Sequence, residues 1–111
     1  MLHSVPESDW KVFRELREVA LQRFCNRILE ELLSVIRDDS GNAHERYLAV
    51  FRRIQERDEQ LARAFNDPRR SRMLIQLAAI QALGLLSAGD LGRFTHETRG
   101  AIESLAKESA R

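Results

Sequence analysis

Apolar residues recur at every fourth position through the first third of the chain. Val12, Leu16, Ala20, Phe24, Ile28, Leu32 and Ile36 make one row, and Leu21, Cys25, Leu29 and Leu33 run beside it. This spacing marks an amphipathic α-helix and predicts one long helix over residues 8–38. Ser4 and Glu7 have the spacing of a capping box, Pro6 suits a first turn, and Ser8 is an alternative cap. A helix turns about 100° per residue, so each four-residue step overshoots a full turn by about 40°. Six such steps would carry the apolar row roughly 240° around the helix, giving its two ends different neighbours.

Asp39-Ser40-Gly41-Asn42 reads as a turn, with Gly41 stopping the first helix. Asn42 and Glu45 repeat the capping-box spacing and open a second helix that runs to about Phe65. Its inward stripe is Tyr47, Phe51, Ile54, Leu61 and Phe65. Asp58 falls where that stripe should continue. It must therefore be paired, with a buried arginine bridge as the expected solution, or lie near the stripe's edge. Asp67 as cap and Pro68 in the first helical position predict a third helix to about Ser87, ended by Gly89. That segment is apolar nearly all round, so it is expected to be buried. Asp90 to Phe94 reads as a short helical turn. Thr95 then caps a last helix, roughly 96–108, with Ile102 and Leu105 facing inward. No stretch alternates as a strand would. The fold expected is all-α, a helical bundle of four main helices with a long first helix, forming one domain over residues 1–111.

Composition narrows the setting. With 43% hydrophobic and 32% charged residues among 111, the chain has the balance of a globular domain. The first residues, Met-Leu-His-Ser-Val-Pro-Glu, have no basic start and no apolar run, unlike a signal peptide. The longest apolar stretch, Met73 to Leu86, is interrupted by Gln76 and Gln81 and falls short of the roughly 18 residues of a membrane span. A cytoplasmic protein without membrane contact is expected. Cys25 is the single cysteine, so no intrachain disulfide can form, and its apolar neighbours suit a small core residue.

Few residues suggest chemistry. His44-Glu45 and His96-Glu97 begin like a zinc-protease motif, but Leu48 and Gly100 stand where the second histidine should be. Asp38 to Asn42 superficially resembles a calcium loop, with Ala43 in place of the needed glycine and Ala49 in place of the closing glutamate. There is no phosphate-binding glycine loop and no nucleophile elbow. No catalytic residue, metal or cofactor is expected.

One cluster stands above this background. Arg69, Arg70 and Arg72 crowd the expected first turn of the third helix, and Arg63 is close in sequence. Cations are unfavourable at a helix N-terminus, whereas its free N–H groups attract anions. These four arginines are the candidate anion site, for phosphate, nucleic-acid backbone or an acidic protein segment. The competing explanation is pairing with Asp67, Glu59 or the acids of a second subunit. Replacing Arg69, Arg70 and Arg72 together should leave folding intact or slightly improved, since the dipole clash is relieved, and should remove any binding to polyanions. The net charge of +1 gives no global case for nucleic acid.

The expected function is non-enzymatic: a small helical protein-interaction protein, adaptor or regulatory in kind. Polyanion binding through the arginine cluster is the alternative. A homodimer is expected on geometric grounds. A 31-residue helix is about 46 Å long, against a diameter near 35 Å for a compact domain of this size. The overhanging turns carry Trp10 and Phe13 at one end and Leu32, Leu33 and Ile36 at the other, and a second copy would cover them.

Overall fold

The computed structural model describes residues 5–109. His3 and Ser4, and with them the first capping-box expectation, lie outside the described residues. The chain is all-helical there, with no strand among the described residues.

Helix α1 spans Glu7–Arg37. Pro6 stands at its N-cap and Ser8 lies inside it, so Ser8 is not the cap; Glu7 and Asp9 place negative charge in the first turn, where the helix dipole favours it. The helix stops at Asp38, whose backbone is extended, and not at Gly41. Asp38 takes hydrogen bonds from the Ser40 backbone N–H and hydroxyl at 3.0 and 2.6 Å, a turn that competes with further helix. Gly41, at φ 83°, serves the turn that follows. Arg46 then donates to the Ile36 and Asp38 carbonyls, occupying acceptors that the helix end leaves free.

Helix α2 spans Ala43–Phe65 and runs back along α1. Its capping box is present as the sequence predicts, with Asn42 Oδ1 accepting from the Glu45 N–H at 2.9 Å and Glu45 accepting from the Asn42 N–H at 3.0 Å. Asp67 does not cap the next helix. It sits at φ 52°, reversing the chain, and the segment Arg70–Arg72 forms a 3₁₀ turn before α3 begins at Met73.

Helix α3, Met73–Ala82, is shorter than the sequence suggests. Gly84 at φ 73° ends it: the Leu85 N–H reaches back to the Ile80 carbonyl and the Gly84 N–H to Gln81, the paired bonds of a Schellman stop. Gly89, expected as the terminator, lies within the short helix α4, Ala88–Leu91, which Ser87 and Asp90 cap reciprocally. Helix α5, His96–Ser109, starts as predicted, with the Thr98 N–H on the Thr95 hydroxyl at 3.4 Å.

The core lies at one end of the molecule. Phe13, Leu16, Ala20 and Phe24 of α1 meet Ala64 and Phe65 of α2, Met73, Leu77 and Ile80 of α3, and Leu85, Leu86, Phe94 and Ile102. These α1 positions step by three or four and hold one face. The expected migration of the core around the helix does not occur, because the later members of the fourth-position row leave the core: Leu32 is half-buried and Ile36 exposed. In α3 one side turns outward, with Ile75 exposed, so this helix is not buried all round. Beyond Phe24 in α1 and before Ala64 in α2 no residue is fully buried. The α1–α2 hairpin therefore projects from the core as an arm, and the molecule measures 53 × 24 × 23 Å.

Candidate interaction surface

Polar pairing aligns the two helices of the arm. Glu31 receives both Arg57 Nε at 2.8 Å and Arg57 Nη2 at 2.9 Å, and Arg53 closes on the same carboxylate at 3.2 Å. The Arg57 hydrogen bonds, opposed by partial burial and helped by both guanidinium charges, hold the Glu31 carboxyl below its ordinary range. This bidentate pair marks the sides of α1 and α2 that face each other.

From those sides the exposed apolar residues can be placed. Seen down α1, successive residues step clockwise by about 100°; in the antiparallel α2 they step anticlockwise. Leu29, Leu33 and Ile36 lie about 110–170° from the α2-facing line of α1. Tyr47, Phe51 and Ile54 lie about 70–130° from the α1-facing line of α2, in the corresponding sense. Both rows thus share one side of the arm. The opposite side carries Arg23 and Arg27, which donate to the Leu85 and Leu83 carbonyls just beyond α3. The core packs on that side and leaves the apolar one open. Leu29 and Tyr47 are each 63% exposed, and Leu33, Ile36, Phe51 and Ile54 are exposed as well. Tyr47 and Phe51 stack on each other with ring centroids 6.4 Å apart.

This corrects the sequence reading of α2. Its stripe divides: Phe65 is buried and Leu61 partly so, while Tyr47, Phe51 and Ile54 face outward. The reason is that α3 and α5 are too short to reach along the arm. Asp58 is exposed on the same side, so it is at the stripe's edge and not in a buried arginine bridge.

The residues proposed for a dimer contact separate. Phe13 is 0% exposed and belongs to the core of the single chain. Trp10 is half-buried and stacks on Phe13 at 5.4 Å, beside an open cleft of about 590 Å³ lined also by Arg14, Arg17 and Pro68. Leu32, Leu33 and Ile36 lie on the arm.

Arg69, Arg70 and Arg72 lie in and just before the 3₁₀ turn that leads into α3, with Arg72 at the N-cap of α3. Arg69 pairs with Asp67 at 2.9 Å. Arg70 pairs with Glu7 at 2.7 Å and donates to the Val5 carbonyl. Arg72 pairs with Asp67 at 3.5 Å and reaches the Asn66 and Asp67 carbonyls. Arg63 is exposed on α2 and borders a separate cleft toward α3. Local carboxylates and carbonyls thus engage Arg69, Arg70 and Arg72, each through one or two of its nitrogens.

One buried carboxylate escaped the sequence reading. Asp9, 1% exposed, accepts from the Thr95 N–H and from the hydroxyls of Thr95 and Thr98. Burial pushes its carboxyl up, and these hydrogen bonds together outweigh that and hold it below its ordinary value. The signal was the spacing of Asp9 from Phe13, Leu16 and Ala20, which puts it on the core face. Among the described residues no group of three or more His, Cys, Asp or Glu side chains is placed to hold a metal ion. No described helix is long and apolar enough to cross a membrane. No protein-family model, no curated protein and no solved structure matches this chain.

Proposed function

We propose that this chain acts by association: it is a small interaction protein, adaptor or regulatory in kind and cytoplasmic, whose α1–α2 arm pairs with the arm of a second copy. The observation that carries this reading is the open apolar side of the arm. Six large side chains, each about half exposed, present roughly 600 Å² there. That is at the top of the range for the largest patch on a monomeric protein. Doubled across a symmetric contact and given a polar rim, it reaches the size of a standard specific interface. Two arms laid face to face make a four-helix bundle, a stable way to cover two-helix apolar faces.

Sedimentation equilibrium tests the reading. The wild type should sediment at twice its chain mass of 12.8 kDa. A Leu33→Glu, Phe51→Glu double variant should sediment as a monomer with an unchanged helical circular dichroism spectrum, because neither side chain is part of the core cluster. A wild type of 12.8 kDa from micromolar to several hundred micromolar overturns it.

A further inference from the structure

The open side of the arm has a self-complementary pattern. Along α2 it reads His44, Tyr47, Phe51, Ile54, Asp58, with steps of three and four residues, the seam spacing of helices that pack side by side. The apolar stretch is bounded by an imidazole at one end and a carboxylate at the other, seven residues either side of Phe51. Both His44 and Asp58 are exposed. Along α1 the matching positions, Leu29, Leu33 and Ile36, are centred on Leu33. The Glu31 carboxylate, held between Arg53 and Arg57, sets Leu33 and Phe51 at nearly the same height on the arm. A single two-fold axis passing at that height therefore serves both helices.

We propose that the two copies pair antiparallel, arm tip toward core, with Phe51 and Leu33 at the two-fold axis and Asp58 of each copy hydrogen-bonded to the partner's His44. This rests on the dimer reading above and specifies its geometry. In this arrangement α2 lies against the partner's α2, Tyr47 and Ile54 exchange across the axis, and the carboxylate that interrupts the stripe gains a donor at each end of the seam. The other symmetric arrangement has its axis along the helices and sets α2 against the partner's α1 at equal height. Asp58 would then meet the stretch containing Cys25 and Asn26, where the Asn26 amide is the donor and Arg23 and Arg27 are engaged with the Leu85 and Leu83 carbonyls on the opposite side, so the match of His44 with Asp58 is lost. The antiparallel pairing keeps that match at both ends of the seam.

The experiment combines a distance with a charge exchange. A spin label at Gln22→Cys, in a Cys25→Ser background, sits on an exposed position about 16 Å below the proposed axis. Antiparallel copies place the two labels about 33 Å apart, and the alternative places them within about 20 Å. His44→Glu sets like charges against each other and Asp58→Lys removes the acceptor of the His44 hydrogen bond, so each alone should weaken dimerisation by about tenfold, and the double exchange should restore it. Labels within 20 Å, or single changes without effect, overturn the antiparallel pairing while leaving the dimer standing. A wild type that sediments as a monomer overturns both.

Discussion

The Asp9 carboxylate accepts a hydrogen bond from the Thr98 hydroxyl at 2.6 Å, tying the first turn of α1 to the first turn of α5 across 89 residues of sequence. The same carboxylate takes the Thr95 N–H and hydroxyl, so a side chain of α1 completes the start of α5. A negative charge there also suits the positive end of that helix.

Asp9→Ala should cost about 1–3 kcal/mol, because it leaves the buried Thr98 hydroxyl, and the part-buried Thr95 N–H and hydroxyl, without their acceptor. The cost should depend on pH. The folded carboxyl binds its proton less readily than the ordinary value of 3.8. On acidification the unfolded chain therefore takes up the proton first, and the stabilisation is lost as pH falls through the lowered folded value. The gap between wild type and Asp9→Asn, measured by urea unfolding, should be full near pH 7 and shrink toward pH 2. A gap independent of pH would mean that the charge plays no part.

Leu77→Ala and Ile75→Ala are a matched test of how α3 is seated. Leu77 is fully buried and Ile75 is 62% exposed. The first should lose about 2–5 kcal/mol by leaving a cavity, the second less than about 0.5 kcal/mol. Equal losses in denaturant unfolding would show the helix rotated.

Gly84→Ala probes the end of α3. Space is not the obstacle, since nothing lies within 4 Å of the position a Cβ would take. The backbone at φ 73° is, and a left-handed conformation costs an L-residue about 1 kcal/mol relative to glycine. Thermal unfolding should show a loss of that order; a rise in Tm would contradict the Schellman stop.

Replacing Arg69, Arg70 and Arg72 with Gln should lower Tm by about 5 °C, the scale of several weak exposed pairs lost together. The helix dipole acts in the opposite sense, but these side chains tie Asp67, Glu7 and the Val5, Asn66 and Asp67 carbonyls. Amide exchange should quicken at Trp10, in the turn that Arg70 holds through Glu7. Unchanged Tm and exchange would show the pairs to be idle.

Local chemistry was readable in the linear chain. The fourth-position apolar rows gave α1 nearly to the residue, Asn42 with Glu45 marked the start of α2, and Thr95 the start of α5. These features depend on neighbours within one or two helical turns, so residue type and spacing are enough to specify them. Helix ends were less legible where several stops compete. Gly41 and Gly89 stand where terminators are expected, yet it is Gly84 that ends a helix in a left-handed conformation.

What the sequence determined by itself was which segments are helical and which of their residues need covering. It did not determine what covers them. Tyr47, Phe51 and Ile54 have the spacing of a core stripe as fully as Phe13, Leu16 and Ala20 do; the difference lies in the lengths of α3 and α5, which reach one set and not the other. The place of Asp58, exposed at the edge of that stripe, was decided in the same way. An amphipathic pattern records that a face is apolar, a property of one helix, whereas burial is a property of the pair of surfaces, and the second surface is supplied by residues far away in the chain.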